Sequence, residues 1–96
     1  MRESVIINEV GLRDGLQNQP VQVSTADKAR LAQSLVDAGV RHFEPVSFAH
    51  PNAVPQMADA AQVVQHALRH SSVRVMALVP NLRGAKAALE AGAQKI

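Results

Sequence analysis

Twice in this chain an alanine-rich stretch of helical pattern stops on acid-Ala-Gly and passes at once into a new apolar run: Asp37-Ala38-Gly39-Val40 and Glu90-Ala91-Gly92-Ala93. Glycine just past a helix end takes the left-handed conformation that closes the helix. A chain that hands helix over to strand so abruptly, and does so again, carries a weak repeat that supports alternating strand and helix units on a parallel sheet. The expected class is α/β.

The units can be placed along the sequence. Val5-Ile6-Ile7 reads as the core of a buried first strand, Val40–Glu44 as the second and Val73–Val79 as the third. Ala93–Ile96 begins a fourth. Ser24-Thr25 is a helix-capping pair, and Asp27 three residues after Ser24 resembles a capping box. Leu31, Ala32, Leu35 and Ala38 then share one helical face; Met57, Ala60, Ala61, Val64 and Leu68 form the stripe of a second helix. Asn81 is placed to cap a third, with Ala85, Ala88 and Leu89 on one face and Gly92 as its stop. The result is about three βα units and the start of a fourth strand. A closed barrel needs eight strands and about 250 residues. A single partial domain over residues 1–96, the first part of a longer protein, is therefore expected.

The strand-to-helix loops are long and polar, and the helix-to-strand loops are minimal. Such asymmetry is expected when one face of a sheet carries a site and the other only turns the chain. The first long loop holds Arg13 and Asp14 between Gly11 and Gly15. Glycine can free the backbone there so that both side chains face the strand-end crevice. A carboxylate is a hard ligand suited to Mg²⁺ or Mn²⁺. A guanidinium stays charged and can hold a developing enolate or carboxylate oxygen. The plainer alternative is a surface salt bridge or a turn-capping aspartate. Glu44, at the end of the second strand, suits the same crevice with Arg13 as partner. Glu9 reads rather as the buried counter-ion of an arginine.

Ser47, His50, Asn52 and Gln56 line the second loop, without an acid at triad-like spacing. His66 and His70 have the i, i+4 spacing of a metal pair, but Ala67, Leu68 and Arg69 fill the gap where a metalloprotease helix carries glutamate. They sit at the exposed end of their helix, away from the crevice. Asn81 can cap its helix and also donate to a ligand.

Composition closes other routes. There are two Phe, no Tyr and no Trp, so the surface that stacks nucleic-acid bases is missing. The net charge is +2, with Lys and Arg scattered rather than striped, and nucleic acid is not an expected partner. No apolar run approaches the roughly 20 residues that span a bilayer, so no membrane is expected. The absence of cysteine leaves no disulfide framework and no thiol nucleophile; a cytoplasmic location is the expectation. Neither a phosphate-binding nor a dinucleotide-binding glycine pattern is present.

With these residues in hand, Glu9-Val10-Gly11-Leu12-Arg13-Asp14-Gly15-Leu16-Gln17-Asn18 resembles the first-strand signature of the 3-hydroxy-3-methylglutaryl-CoA lyases, which are metallolyase TIM barrels. Phe43-Glu44, Ser47-Phe48, Pro51 and Val54-Pro55-Gln56-Met57-Ala58-Asp59 agree with it, as does Pro80-Asn81-Leu82-Arg83-Gly84. The resemblance implies the N-terminal part of a (β/α)8 barrel. It implies a divalent-metal-dependent retro-aldol cleavage of an acyl-CoA, giving acetoacetate and acetyl-CoA, by a chain that is a homo-oligomer at full length. By that resemblance Asp14 is a metal ligand and Arg13 steadies the enolate and thioester oxygen. Glu44 shapes the site, Ser47 touches substrate, and Gln17 and Asn81 order the loop and substrate rim.

The sequence departs from the family pattern at Asn8, Leu12, Pro45-Val46 and His50, changes that fit another acyl-CoA substrate. The family's other metal ligands, a His-x-His pair and an Asn, and its reactive cysteine belong to later strands, so the segment alone is expected to be inactive. Two other readings stand beside the lyase: a condensing synthase of the isopropylmalate or homocitrate type, and a non-catalytic half-barrel module.

Overall fold

The computed structural model describes residues 4–96. A two-stranded parallel sheet, β1 (His42–Ser47) and β2 (Arg74–Leu78), carries helices α1 (Thr25–Asp37), α2 (Ala60–Leu68) and α3 (Leu82–Ala91). Two single-residue bridges extend the sheet in chain order. Glu9 pairs with Phe43, and Lys95 pairs with Met76, both parallel.

β2 alternates: Val75 and Ala77 are buried while Arg74 and Leu78 are exposed, as expected of a strand packed on one face. β1 is buried almost throughout, because it lies between Glu9 and β2. α2 buries Ala60, Val63, Val64 and Ala67, the i, i+3, i+4, i+7 stripe of an amphipathic helix. That stripe closes on Phe43, Val46, Val75 and Ala77 of the sheet to form the core, which Met57 and Ala88 join as fully buried members.

The helix ends follow the sequence closely. The Ser24 side chain accepts from the Asp27 amide, and Asn81 Oδ1 accepts from the Gly84 amide at 2.8 Å. Gly39 and Gly92 have φ of 105° and 101°, the left-handed stops expected of them. Arg30 and then Ser24 hydrogen-bond the Asp27 carboxylate and hold its pKa below the usual range. The stability this gives is present at neutral pH and is lost as pH falls through the lowered pKa.

Several expectations need correction. Val5-Ile6-Ile7 is not a strand. Only Glu9 reaches β1, donating to His42 O and accepting from Glu44 N at 2.8 Å each, and the three apolar side chains are exposed. Ala93–Ile96 likewise contributes one bridge, at Lys95. The second strand begins at His42 and runs on through Ser47 rather than ending at Glu44. Pro45, which cannot donate to a ladder, falls where the register shifts between Phe43 and Val46.

Helix phases differ as well. α1 turns Lys28 and Ala32 inward, leaving Leu31 and Ala38 exposed. Met57 lies in a separate 3₁₀ turn, Pro55–Met57, and Ala61 is exposed. α3 buries Gly84, Ala88 and Ala91, leaving Leu89 outside.

Gly84 is where α3 meets the end of β1. A Cβ there would lie 2.7 Å from Phe48 O and 3.2 Å from Pro80 Cδ. Because the first obstacle is backbone, Gly84→Ala is expected to lower stability by about 1–3 kcal/mol. Equilibrium urea unfolding measures this.

Candidate active site

Arg13 and Asp14 lie in a short π-helical turn, Gly11–Gly15, which Val10 joins to Glu9. Leu12 is buried beneath it at 1% exposure, which pins the turn to the sheet end. The Asp14 amide donates to Val10 O at 2.7 Å. The glycines act otherwise than expected, since neither has positive φ. Gly11 is needed for space: a Cβ would sit 2.7 Å from Glu9 Oε1, the oxygen that accepts from the Gly11 amide at 3.0 Å. Glu9 is therefore a local backbone tether, and among the described residues it pairs with no arginine.

Glu44 is the counter-ion. From buried β1 its Oε2 accepts from Arg13 Nε at 2.9 Å and from Nη2 at 2.7 Å. Arg13 Nη1 leans toward Asp14 Oδ1 at 3.4 Å. The expected meeting of Arg13, Asp14 and Glu44 at one strand end is present. The side chain of Arg13 is 18% exposed and that of Asp14 is 60% exposed, so the guanidinium is fixed while the carboxylate faces open space.

Ser47, at the end of β1, is buried and donates to Gln17 Oε1 at 3.0 Å. The first and second loops thus meet beside the Arg13–Glu44 pair. They meet again where Gln56 Nε2 donates to Gln19 O at 2.5 Å. Behind this contact lies Lys28, whose Nζ donates to Gln56 O and to Asp59 Oδ1 at 2.6 Å each. Thr25 Oγ1 donates to the other Asp59 oxygen at 2.6 Å. Sequence reasoning missed Lys28 and Asp59 as a pair. The available signal was a lysine one helical turn before Ala32, on the stripe that faces inward.

Asn81 stands apart. Its carboxamide oxygen is engaged as a helix cap, and it borders a groove of about 450 Å³ between Phe48, His50, Met57 and Arg83. No hydrogen bond joins it to the Arg13 cluster. His50 Nδ1 accepts from the Asn52 amide at 3.1 Å. His66 lies in the last turn of α2 and His70 just past the helix, and both are half-buried rather than on an exposed helix end. Among the described residues no group of three His, Cys, Asp or Glu side chains is placed to hold a metal. Asp14 presents a hard carboxylate at a strand end, mostly solvent-facing, with Arg13 Nη1 at 3.4 Å from Oδ1, the chemistry of a cation ligand.

An α/β segment that presents an arginine–carboxylate cluster at its parallel strand ends belongs to the class of sheet proteins whose sites lie there. Comparison with known proteins gives the family. The HMGL-like family model matches residues 4–96, and the chain belongs to that family. It is 44% identical over 90 residues to the hydroxymethylglutaryl-CoA lyase YngG of Bacillus subtilis, covering 94% of this chain and 30% of that protein. It is also 44% identical over 94 residues to the 3-hydroxy-3-isohexenylglutaryl-CoA/hydroxymethylglutaryl-CoA lyase of Pseudomonas aeruginosa, covering 98% and 31%. The crystal structure of hydroxymethylglutaryl-CoA lyase from Pseudomonas aeruginosa superposes with a TM-score of 0.87 at 46% identity, over 94% of this chain and 30% of that one. An HMG-CoA lyase from Acinetobacter baumannii, in complex with coenzyme A and 3-methylmalate, superposes with a TM-score of 0.84 at 39% identity, over 92% and 29%. The chain thus spans under a third of the length of the relatives it matches.

Proposed function

We propose that residues 1–96 are the N-terminal part of a (β/α)8 barrel lyase that cleaves 3-hydroxy-3-methylglutaryl-CoA, or a closely similar 3-hydroxyacyl-CoA, to acetyl-CoA and acetoacetate. The observation that carries this is the Arg13–Glu44 pair beside Asp14 at the strand ends, in a chain whose matched relatives are named as lyases rather than synthases. The likeness to an enzyme crystallised with coenzyme A supports an acyl-CoA partner.

In this cleavage the tertiary hydroxyl loses its proton and the C2–C3 bond breaks. The electron pair passes to C2 as a thioester enolate, which is then protonated. Negative charge therefore gathers on the thioester oxygen. Arg13 is fitted to meet it: both donors to Glu44 lie on one edge of the guanidinium, so the group is aimed before substrate arrives. Such preorganised charge lowers the barrier without reorganisation during the reaction. Ser47, buried on β1 three residues beyond Glu44 and donating to Gln17, would order the loop at the substrate rim, with its oxygen lone pairs left to accept. Asp14 would hold a divalent cation, Mg²⁺ or Mn²⁺, together with ligands from outside this segment. When bound, the cation would supply Lewis-acid polarisation of the hydroxyl and carbonyl oxygens. Two carboxylates against one guanidinium suit a site for such a cation.

Asp14→Asn tests the reading in a chain of the relatives' length that carries this segment. Cleavage of the thioester is expected to be lost, while the thermal midpoint is unchanged, because an exposed side chain contributes little to stability. Full activity in that variant would overturn the assignment.

A further inference from the structure

The most deeply buried charged group is one the proposed cleavage does not use. Lys28 is 2% exposed, with Nζ on Asp59 Oδ1 and on the backbone oxygen of Gln56. Burying an ion pair carries a steep desolvation cost, and well-packed apolar residues of the same volume often serve stability as well. An apolar side chain, however, could not fix the Gln56 carbonyl at one point. On its other side, Gln56 Nε2 donates to Gln19 O at 2.5 Å. Gln19 in turn donates its amide to Leu16 O at 3.2 Å. A continuous hydrogen-bonded path therefore runs from α1 to the far end of the turn that carries Arg13 and Asp14. The near end is tethered separately, by Glu9 Oε1 on the Gly11 amide.

Asp14 needs that arrangement more than Arg13 does. Arg13 is gripped by Glu44, whereas the closest polar contact on the Asp14 carboxylate is Arg13 Nη1 at 3.4 Å. The aim of Asp14 is set by its backbone, and so by the two tethered ends of the turn. We propose that Gln56, clamped from behind by Lys28, is a positioning residue that sets Asp14 for its cation. This rests on the reading of Asp14 given above.

Gln56→Glu is the discriminating change. It keeps the shape and the backbone oxygen for Lys28, but it sets an acceptor against the Gln19 carbonyl. Gln56→Ala removes the side chain altogether. In a chain of the relatives' length, both are expected to lower kcat about 10- to 100-fold and to weaken Mn²⁺ binding, read by titration calorimetry, by a similar factor. KM for the thioester should change little and the thermal midpoint should stay near the parent's. Hydrogen exchange at the amides of residues 15–19 should quicken. Parental kcat, Mn²⁺ affinity and exchange in both variants would overturn the proposal. A lowered midpoint with parental kcat and Mn²⁺ affinity would make Gln56 a structural brace, and would overturn it too. A parent chain that does not cleave the thioester sinks the lyase reading, while exchange at residues 15–19 still decides whether the clamp exists.

Discussion

Arg13→Met is expected to lower the turnover of the lyase-length chain by at least about a hundred- to a thousandfold, the range seen when one preorganised donor to a developing oxyanion is removed. KM should move less, because the charge that Arg13 meets is largest in the transition state. Arg13→Lys is not expected to rescue. Two donors of a planar fork converge on Glu44 Oε2, and a single ammonium cannot reproduce both the grip and the aim. The substitution also strands Glu44, which is 8% exposed, and an unpaired buried carboxylate disturbs the strand end. Arg13→Met/Glu44→Gln separates the two effects. It removes the unpaired buried charge, and should recover the thermal midpoint while leaving turnover low. Recovery of turnover in the double variant would show that Arg13 serves structure and not the reaction. A loss confined to KM would reduce Arg13 to an anchor for substrate.

Lys28→Ala is expected to produce the largest fall in stability of any single change considered, about 3–5 kcal/mol. The Lys28 ammonium joins α1 to the segment entering α2 through contacts of 2.6 Å to Asp59 Oδ1 and to Gln56 O. Its removal leaves an aspartate whose remaining polar side-chain partner among the described residues is Thr25 Oγ1, and leaves a carbonyl and a cavity in place of the lysine stem. Folded domains are stable by only about 5–15 kcal/mol, so the change approaches the threshold for unfolding. Lys28→Met/Asp59→Leu, which removes both charges and keeps volume, should recover most of the loss in urea unfolding. No recovery would mean that the ion pair itself, and not the penalty of a stranded partner, supplies the stability. The clamp described above adds a second expectation for the double variant: restored stability without restored turnover.

The alternation of helices with short parallel runs was legible from the residues alone, because its signals are local. Ser24, Asn81, Gly39 and Gly92 act on backbone groups within a few residues, and that is where capping energies are set. The sequence also singled out Arg13, Asp14 and Glu44, because a loop directly after one run and the end of the next run fall at the same end of a parallel sheet. Tertiary structure decided the rest. Whether Val5-Ile6-Ile7 forms a ladder depends on neighbours across the sheet, and its apolar pattern cannot report them. Which face of α1 turns inward was settled by Lys28 finding Asp59 and the Gln56 carbonyl, more than two dozen residues away in sequence. A lysine reads as surface in any local window, because burial of its charge is tolerable only where distant partners converge on it. The joining of the two loops through Gln17 with Ser47, and Gln19 with Gln56, has the same origin: each is a single hydrogen bond between segments whose approach only the folded sheet fixes.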